Sequence, residues 1–371
     1  MRCLFIIQGE GRGHMTQALA LRDLLAAHGH TLSAVLVGHS SRRAVPAFFS
    51  TGIQAPIRTF QSPNFVADGA NRSIQLLPTV RHTLRHTAAY RASLDVIDQA
   101  VADYRPDLLV NFYEPLGGLY NIVRKPGVPL VSIGHQYMFF HPTYPFPPDQ
   151  RMQRWGVQQF TKLTSLGASA RLALSFYRAE TLPDRNLIVV PPVLRKAVFD
   201  QPLDVEEDFI LIYLLNAGYA DDIMRWNERR PHVQLHCFWD NQQHDAVYQP
   251  SASLTFHQLS GVKFLDKMAR CRAMVCTAGF ESVSEAMYLG KPVLMVPVEG
   301  HFEQQCNALD AQNQHAGRYS PTFDLDRLQG LPPRHAAHIQ RFRDWVHEGE
   351  PRFMETLERV AEDERAVAKA A

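Results

Sequence analysis

A histidine at the mouth of a glycine loop is the first feature of the chain that could do chemistry. QGEGRGHM (8–15) sets Gly9, Gly11 and Gly13 in alternation and places His14 directly after them. Glycines allow a ligand close to the backbone, and Gly11 and Gly13 would offer the following helix start to an anion such as phosphate. An imidazole there titrates near neutral pH and suits general-base work. A histidine that only hydrogen-bonds its own loop is the plainer alternative. The spacing is G-x-G-x-G, not the G-x-G-x-x-G of dinucleotide sites, and no acid lies between Asp23 and Asp68 to hold a ribose. Arg42 and Arg43 keep an NADP reading open. Two more groups stand at expected strand ends. Glu114 follows DLLVNF (107–112) and is placed to orient His14; His135 follows PLVSIG (129–134) and could replace His14 as base or hold an acceptor.

The second dense stretch is TAGFESVSEAMYLGKPVLMVPVEGHFEQQCNAL (277–309). A strand is expected to end at Thr277, Gly279 opens the turn, and a helix runs from about Phe280 to Gly290, with Pro292 starting the next strand. That helix start is a diphosphate site that needs no metal. Ser282 lies in its first turn, and Glu285 stands where a carboxylate could accept both hydroxyls of a ribose. Glu303 and Gln304 follow in a loop suited to a polyhydroxylated sugar. A charged helix face is the bland reading of Glu281 and Glu285.

The elements that must position these groups repeat as apolar strand, turn, amphipathic helix. Strands are expected at 2–8, 32–38, 107–112, 129–134, 171–176 and 186–190, then again at 209–215, 233–238, 253–257, 273–277 and 292–297. Helices are expected at about 15–28, 40–50, 75–103, 116–124, 150–166, 219–229, 263–271, 280–289 and 302–314. The rhythm predicts an α/β protein of two doubly wound Rossmann-like domains facing across a cleft, residues 1–200 and 201–333, with a helical tail at 334–371.

The 277–309 stretch resembles the donor-binding segment of GT-B glycosyltransferases, close to families 1 and 28. These include UDP-glycosyltransferases and the lipid-linked N-acetylglucosaminyltransferase of peptidoglycan synthesis. The resemblance implies a diphosphate and ribose site at Gly279, Ser282 and Glu285, and donor-sugar contacts from Glu303 and Gln304, with Asn307 closing the motif. Phe264 and Leu265 resemble residues that flank the nucleotide base, and His14 resembles the N-terminal base of family 1. Implied with it is a metal-independent transfer of a hexosyl, or N-acetylhexosaminyl, group from a UDP-sugar co-substrate to an acceptor hydroxyl, with no cofactor. The second glycine-rich phosphate loop of the family is reduced to NAGY (216–219), leaving Gly218 for that contact. Retaining relatives carry a glutamate where this chain has Thr277, which favours inversion. A sugar-nucleotide epimerase and a non-catalytic partner protein are the rival readings on the same fold.

Charge divides unevenly along the chain. Residues 1–200 carry 21 Lys+Arg against 12 Asp+Glu, and the remainder carries 17 against 25. The seven basic residues between Asp23 and Asp95 are all arginine, and Arg81 and Arg85 fall on one helix face. Forked guanidinium groups suit phosphate or carboxylate, so the N-terminal half is expected to meet an anionic acceptor or membrane surface. QYMFFHPTYPFPPDQRMQRW (136–155) reads as an acceptor-covering loop able to touch lipid. No nucleic-acid reading motif accompanies the arginines. Five cysteines without a C-x-x-C pair, no apolar run near the roughly 18 residues of a spanning helix, and no signal-peptide core lead to an expected cytoplasmic location, with peripheral contact at the inner membrane face. Asp324 and Asp326, the lone D-x-D, are expected to be structural, so no metal site is assigned.

Overall fold

The computed structural model describes residues 1–39, 45–63, 87–213, 217–241, 244–328 and 330–370. Short runs of aliphatic residues bounded by glycine or proline form strands because both sheet faces are covered, so alternation with polar residues is not needed. In the first unit these are β1 (Arg2–Gln8), β2 (Thr31–His39), β3 (Ile57–Gln61), β4 (Leu108–Phe112), β5 (Leu130–Gly134), β6 (Ala170–Leu174) and β7 (Leu187–Val190). They lie in the order β3-β2-β1-β4-β5-β6-β7, all parallel. Its helices are α1 (Arg12–Ala27), α2 (Ala47–Gly52), α3 (Thr87–Tyr104), α4 (Pro115–Arg124) and α5 (Arg151–Leu163).

The second unit holds α6 (Lys196–Phe199), β8 (Phe209–Tyr213), α7 (Ala220–Arg229), β9 (Gln234–Trp239), β10 (Val247–Ser251), β11 (Leu254–Gln258), α8 (Gly261–Arg270), β12 (Ala273–Cys276), α9 (Phe280–Tyr288), β13 (Val293–Met295), α10 (Phe302–Asn313) and β14 (Gly317–Tyr319). The strand order is β10-β11-β9-β8-β12-β13-β14. One pairing, β10 with β11, is antiparallel, so this sheet is mixed at one edge instead of fully parallel. Three strands have no counterpart in the expected set: β3, β10 and β14. Each is a sheet edge, and each is short and polar.

Chain contacts group residues 1–144, 148–195 and 345–371 as one unit, and 145–147 with 196–344 as the other. The helical tail is therefore shared between units: α11 (Ala336–His347) spans the division, and α12 (Gly349–Ala370) belongs with the first sheet. Trp345 anchors that return. It is 2% exposed, its indole N–H donates to the Ser175 carbonyl at 2.9 Å, and Arg352 and Arg178 stand over its ring at 5.1 and 5.6 Å. His28 and His30 of the α1–β2 turn meet Glu350 and Glu358 of α12, each at 2.8 Å. Trp345→Ala is expected to remove about 3–5 kcal/mol of stability through the cavity it leaves. A thermal melt unchanged within a degree would refute that anchoring role.

Candidate functional site

In an open α/β sheet, ligands bind outside the carboxyl ends of strands where the strand order reverses. In the first unit that point lies between β1 and β4. At the helix starts that follow those two strands, His14 stands in the first turn of α1 and Glu114 caps α4.

The β1 turn is shaped by Gly9, whose N–H donates to the Gly38 carbonyl at 2.7 Å. A side chain at Gly9 would strike that same oxygen at 2.6 Å, so packing alone requires glycine there. Gly11 differs. It caps α1 without any side-chain hydrogen bond, and a Cβ on it would meet no described atom within 4 Å. The start of α1 at Gly11 therefore presents backbone N–H groups that no side chain of the cap occupies, the arrangement an anion uses. His14 is half-buried in the first turn. Its Nδ1 lies 3.3 Å from Gln17 Oε1, and its ring stacks on Tyr113 at 5.6 Å between centroids.

Glu114 does not orient His14, contrary to the sequence expectation. Its carboxyl is fully buried; Oε1 accepts from the Ser62 hydroxyl at 2.6 Å and from the Leu116 N–H at 3.0 Å, capping α4. Burial pushes its pKa up to about 8, Ser62 and Leu116 opposing the shift and Glu10 adding to it. His135 is also a core residue instead of an accessible base. Its Nδ1 bonds the Leu174 carbonyl at 2.7 Å, Nε2 faces the Tyr144 hydroxyl at 3.4 Å, and burial lowers its pKa to about 4. Arg81 and Arg85 lie outside the described residues, as do Arg42 and Arg43.

In the second unit the order reverses between β8 and β12. Gly218, exposed, follows β8 in a single-turn helix, and α9 follows β12. Ala278 is held at φ +59°, and Gly279 caps α9 with no side-chain bond to its open N–H groups. A Cβ at Gly279 would approach only Ser282 Oγ, at 3.5 Å. Ser282 donates back to the Gly279 carbonyl at 3.1 Å, and Glu285 sits one turn further along the same stripe, 3% exposed. α10 braces this turn: Asn307 is buried and its amide donates to the Ala278 carbonyl at 3.2 Å. Gln304 Oε1 accepts from the Val298 N–H at 2.8 Å, which fixes the loop before α10. Glu303 is half-buried in the first turn of α10.

The model of glycosyl transferase family 1 matches residues 1–331. The chain belongs to this family. It is a glycosyltransferase, and its two parallel-dominated sheets, each joined to helices, are the GT-B fold. Three solved structures share that fold over nearly the whole length. The glycotransferase of kitacinnamycin is 16% identical with a TM-score of 0.65, covering 97% of this chain and 98% of its own. CalG4, the calicheamicin glycosyltransferase, is 16% identical with a TM-score of 0.63 over 97% and 98%. MurG of Acinetobacter baumannii is 15% identical with a TM-score of 0.55 over 96% and 99%. No curated protein matches the chain. Family membership displaces the epimerase and non-catalytic readings.

Within this glycosyltransferase the expected donor residues separate into two kinds. Gly279, Ser282 and Glu285 line one helix stripe, whereas Asn307 and Gln304 act first as braces for the turns beside it. Phe264, in the first turn of α8, packs against Tyr213 and Phe238 at 5.0 and 5.3 Å, at the carboxyl ends of β8 and β9. Leu265, expected beside it, turns instead into the core at 1% exposure. Asp324 pairs with Arg327, and Asp326 accepts from Trp226 Nε1 and pairs with Arg230, so both have structural tasks. Among the described residues no helix is long and apolar enough to cross a membrane. Sequence reasoning missed Gln17, Tyr113 and Ser62. The three-residue spacing of His14 and Gln17 on a helix was the one local sign available.

Proposed function

We propose that the enzyme transfers a hexosyl group from a UDP-sugar to the hydroxyl of an anionic or lipid-linked acceptor, by one inverting displacement without a metal. His14 Nε2 takes the hydroxyl proton. The freed oxygen pair forms the new bond at the anomeric carbon, and the bond to the diphosphate breaks with its electrons leaving on UDP. The observation that carries the reading is α9: an uncapped glycine start with Ser282 and Glu285 following on one stripe. Its N–H groups and dipole would take the charge that develops on the leaving diphosphate.

A melting-shift panel of UDP, dTDP, ADP and GDP tests the donor, since a ligand stabilises the fold according to its affinity. UDP should shift the melt most, and Glu285→Ala should weaken it about 10- to 100-fold through a lost charged hydrogen bond. One neighbour of this fold, VinC, was solved in complex with dTDP; a response selective for dTDP would overturn the UDP assignment. EDTA should leave turnover unchanged, and proton NMR should find the product anomer opposite to the donor's. Retained configuration would sink the single-displacement scheme.

Helix α5 favours a lipid-side acceptor. Met152 and Trp155 are 75% and 64% exposed in its first turns, flanked by Arg151 and Arg154. Apolar side chains set among arginines suit an anionic bilayer surface. Sedimentation with phosphatidylglycerol vesicles should carry the enzyme down, and Trp155→Ser should reduce that binding. Equal recovery on neutral vesicles would argue against charge-led docking.

A further inference from the structure

We propose that Gln17 and Tyr113 are the positioning residues of His14: Gln17 holds the proton on Nδ1, which makes Nε2 the basic nitrogen, and Tyr113 fixes the ring plane. The inference rests on His14 being the base of the proposed reaction.

A neutral imidazole is a base at one nitrogen only, and whatever bonds the other nitrogen decides which. The carboxylate expected for that task is engaged elsewhere, because Glu114 spends Oε1 on Ser62 and the Leu116 N–H. What lies at Nδ1 is the amide oxygen of Gln17, 3.3 Å away, one turn along α1 and 3% exposed. An amide oxygen accepts and does not donate, so this contact selects the Nδ1–H form. At 3.3 Å the bond is long and constrains the ring only softly. The second constraint is Tyr113, whose ring lies 27° from parallel with the imidazole.

Tyr113 is itself held from several sides. Thr161 gives its hydroxyl proton to the Val157 carbonyl at 2.7 Å, so the Tyr113 hydroxyl is the donor in the 2.8 Å bond between them. Tyr137 and Phe160 meet the ring edge-on at 6.0 and 5.6 Å. The backbone of Tyr113 sits at φ +59°, a conformation costly for any residue but glycine. Packing of the ring sustains that strain, and the result is a flat aromatic wall at the switch point against which the imidazole rests. When His14 takes the acceptor proton, the wall also favours the imidazolium through its π face.

The test is nitrogen–proton correlation NMR of the full chain, with His14 assigned by its absence from the His14→Ala spectrum. Wild type should show the Nδ1–H form. Gln17→Leu, which cannot accept a bond, should shift the population towards Nε2–H. Gln17→Glu should raise the His14 titration midpoint by about one unit, because an adjacent carboxylate favours the charged ring. Tyr113→Leu should lower it by about half a unit. An Nε2–H form in wild type overturns the proposal, and so does a midpoint that Gln17→Glu leaves in place. The wild-type tautomer readout needs only the His14→Ala variant to fold, for the assignment. None of these readouts needs turnover, so loss of the base reading in a kinetic assay would be seen separately.

Discussion

His14→Ala should lower turnover by about a hundred- to ten-thousandfold, the range over which a positioned base contributes to proton transfer. In the proposed reaction the attacking group is an acceptor hydroxyl whose proton must leave as the new bond forms, and water at neutral pH is a poor substitute. The same variant should keep the melting shift expected with UDP, because the proposed donor stripe Gly279–Ser282–Glu285 belongs to the other unit. The two readouts together separate a lost base from a lost fold. Turnover within about threefold of wild type would remove His14 from the chemistry. His135 could not inherit the role as it stands: both its nitrogens are engaged in the core and its ring is buried. Its replacement by Ala should act on stability first.

How far the sequence announced this arrangement depends on how local each signal was. Central strands such as FIIQ of β1 and FILIY of β8 were readable within a residue or two, since burial on both faces writes a continuous apolar run. The edge strands β3 (IRTFQ), β10 (VYQPS) and β14 (GRY) were not, because an edge is half-solvated and tolerates polar residues and even Pro250. The glycine turns were legible for the same local reason, down to the uncapped start of α9, whereas α1 begins at Arg12, three residues before the expected Met15, and takes Gly13 and His14 into its first turn. Long-range partners were not. Ser62 reaches Glu114 from 52 residues away and redirects it from the histidine it seemed placed to serve. Leu265 is one residue from Phe264, and only the packing of α8 decides which of them faces inward. The left-handed backbone of Tyr113 has no mark in a tyrosine's chemistry. It follows from a wall of aromatic neighbours drawn from α5 and the turn after β5.

Glu114→Gln should stabilise the enzyme, and increasingly so as pH rises from 5 to 8. In the unfolded chain this carboxyl titrates at its ordinary 4.5, whereas burial raises it to about 8 in the fold. Between those values the folded protein holds a proton that the unfolded chain has released, so wild-type stability falls as pH rises through that window. It levels off above the folded value. Below pH 4.5 both states are protonated and the effect is absent. A shift of this size corresponds to an upper limit of a few kcal/mol, about 1.4 for each pKa unit. Glutamine retains what the protonated acid provides. Its oxygen still accepts from Ser62 and the Leu116 N–H, so the cap of α4 survives, and the amide occupies the space beside Gly38 where the second carboxyl oxygen lies. Denaturant or thermal unfolding of wild type and Glu114→Gln should therefore give curves that diverge with pH, and parallel curves from pH 5 to 9 would contradict the raised pKa. The same protonation has a consequence for the crevice between β1 and β4. Burial favours the protonated acid at the end of β4 around neutral pH, which reduces the negative charge beside the start of α1.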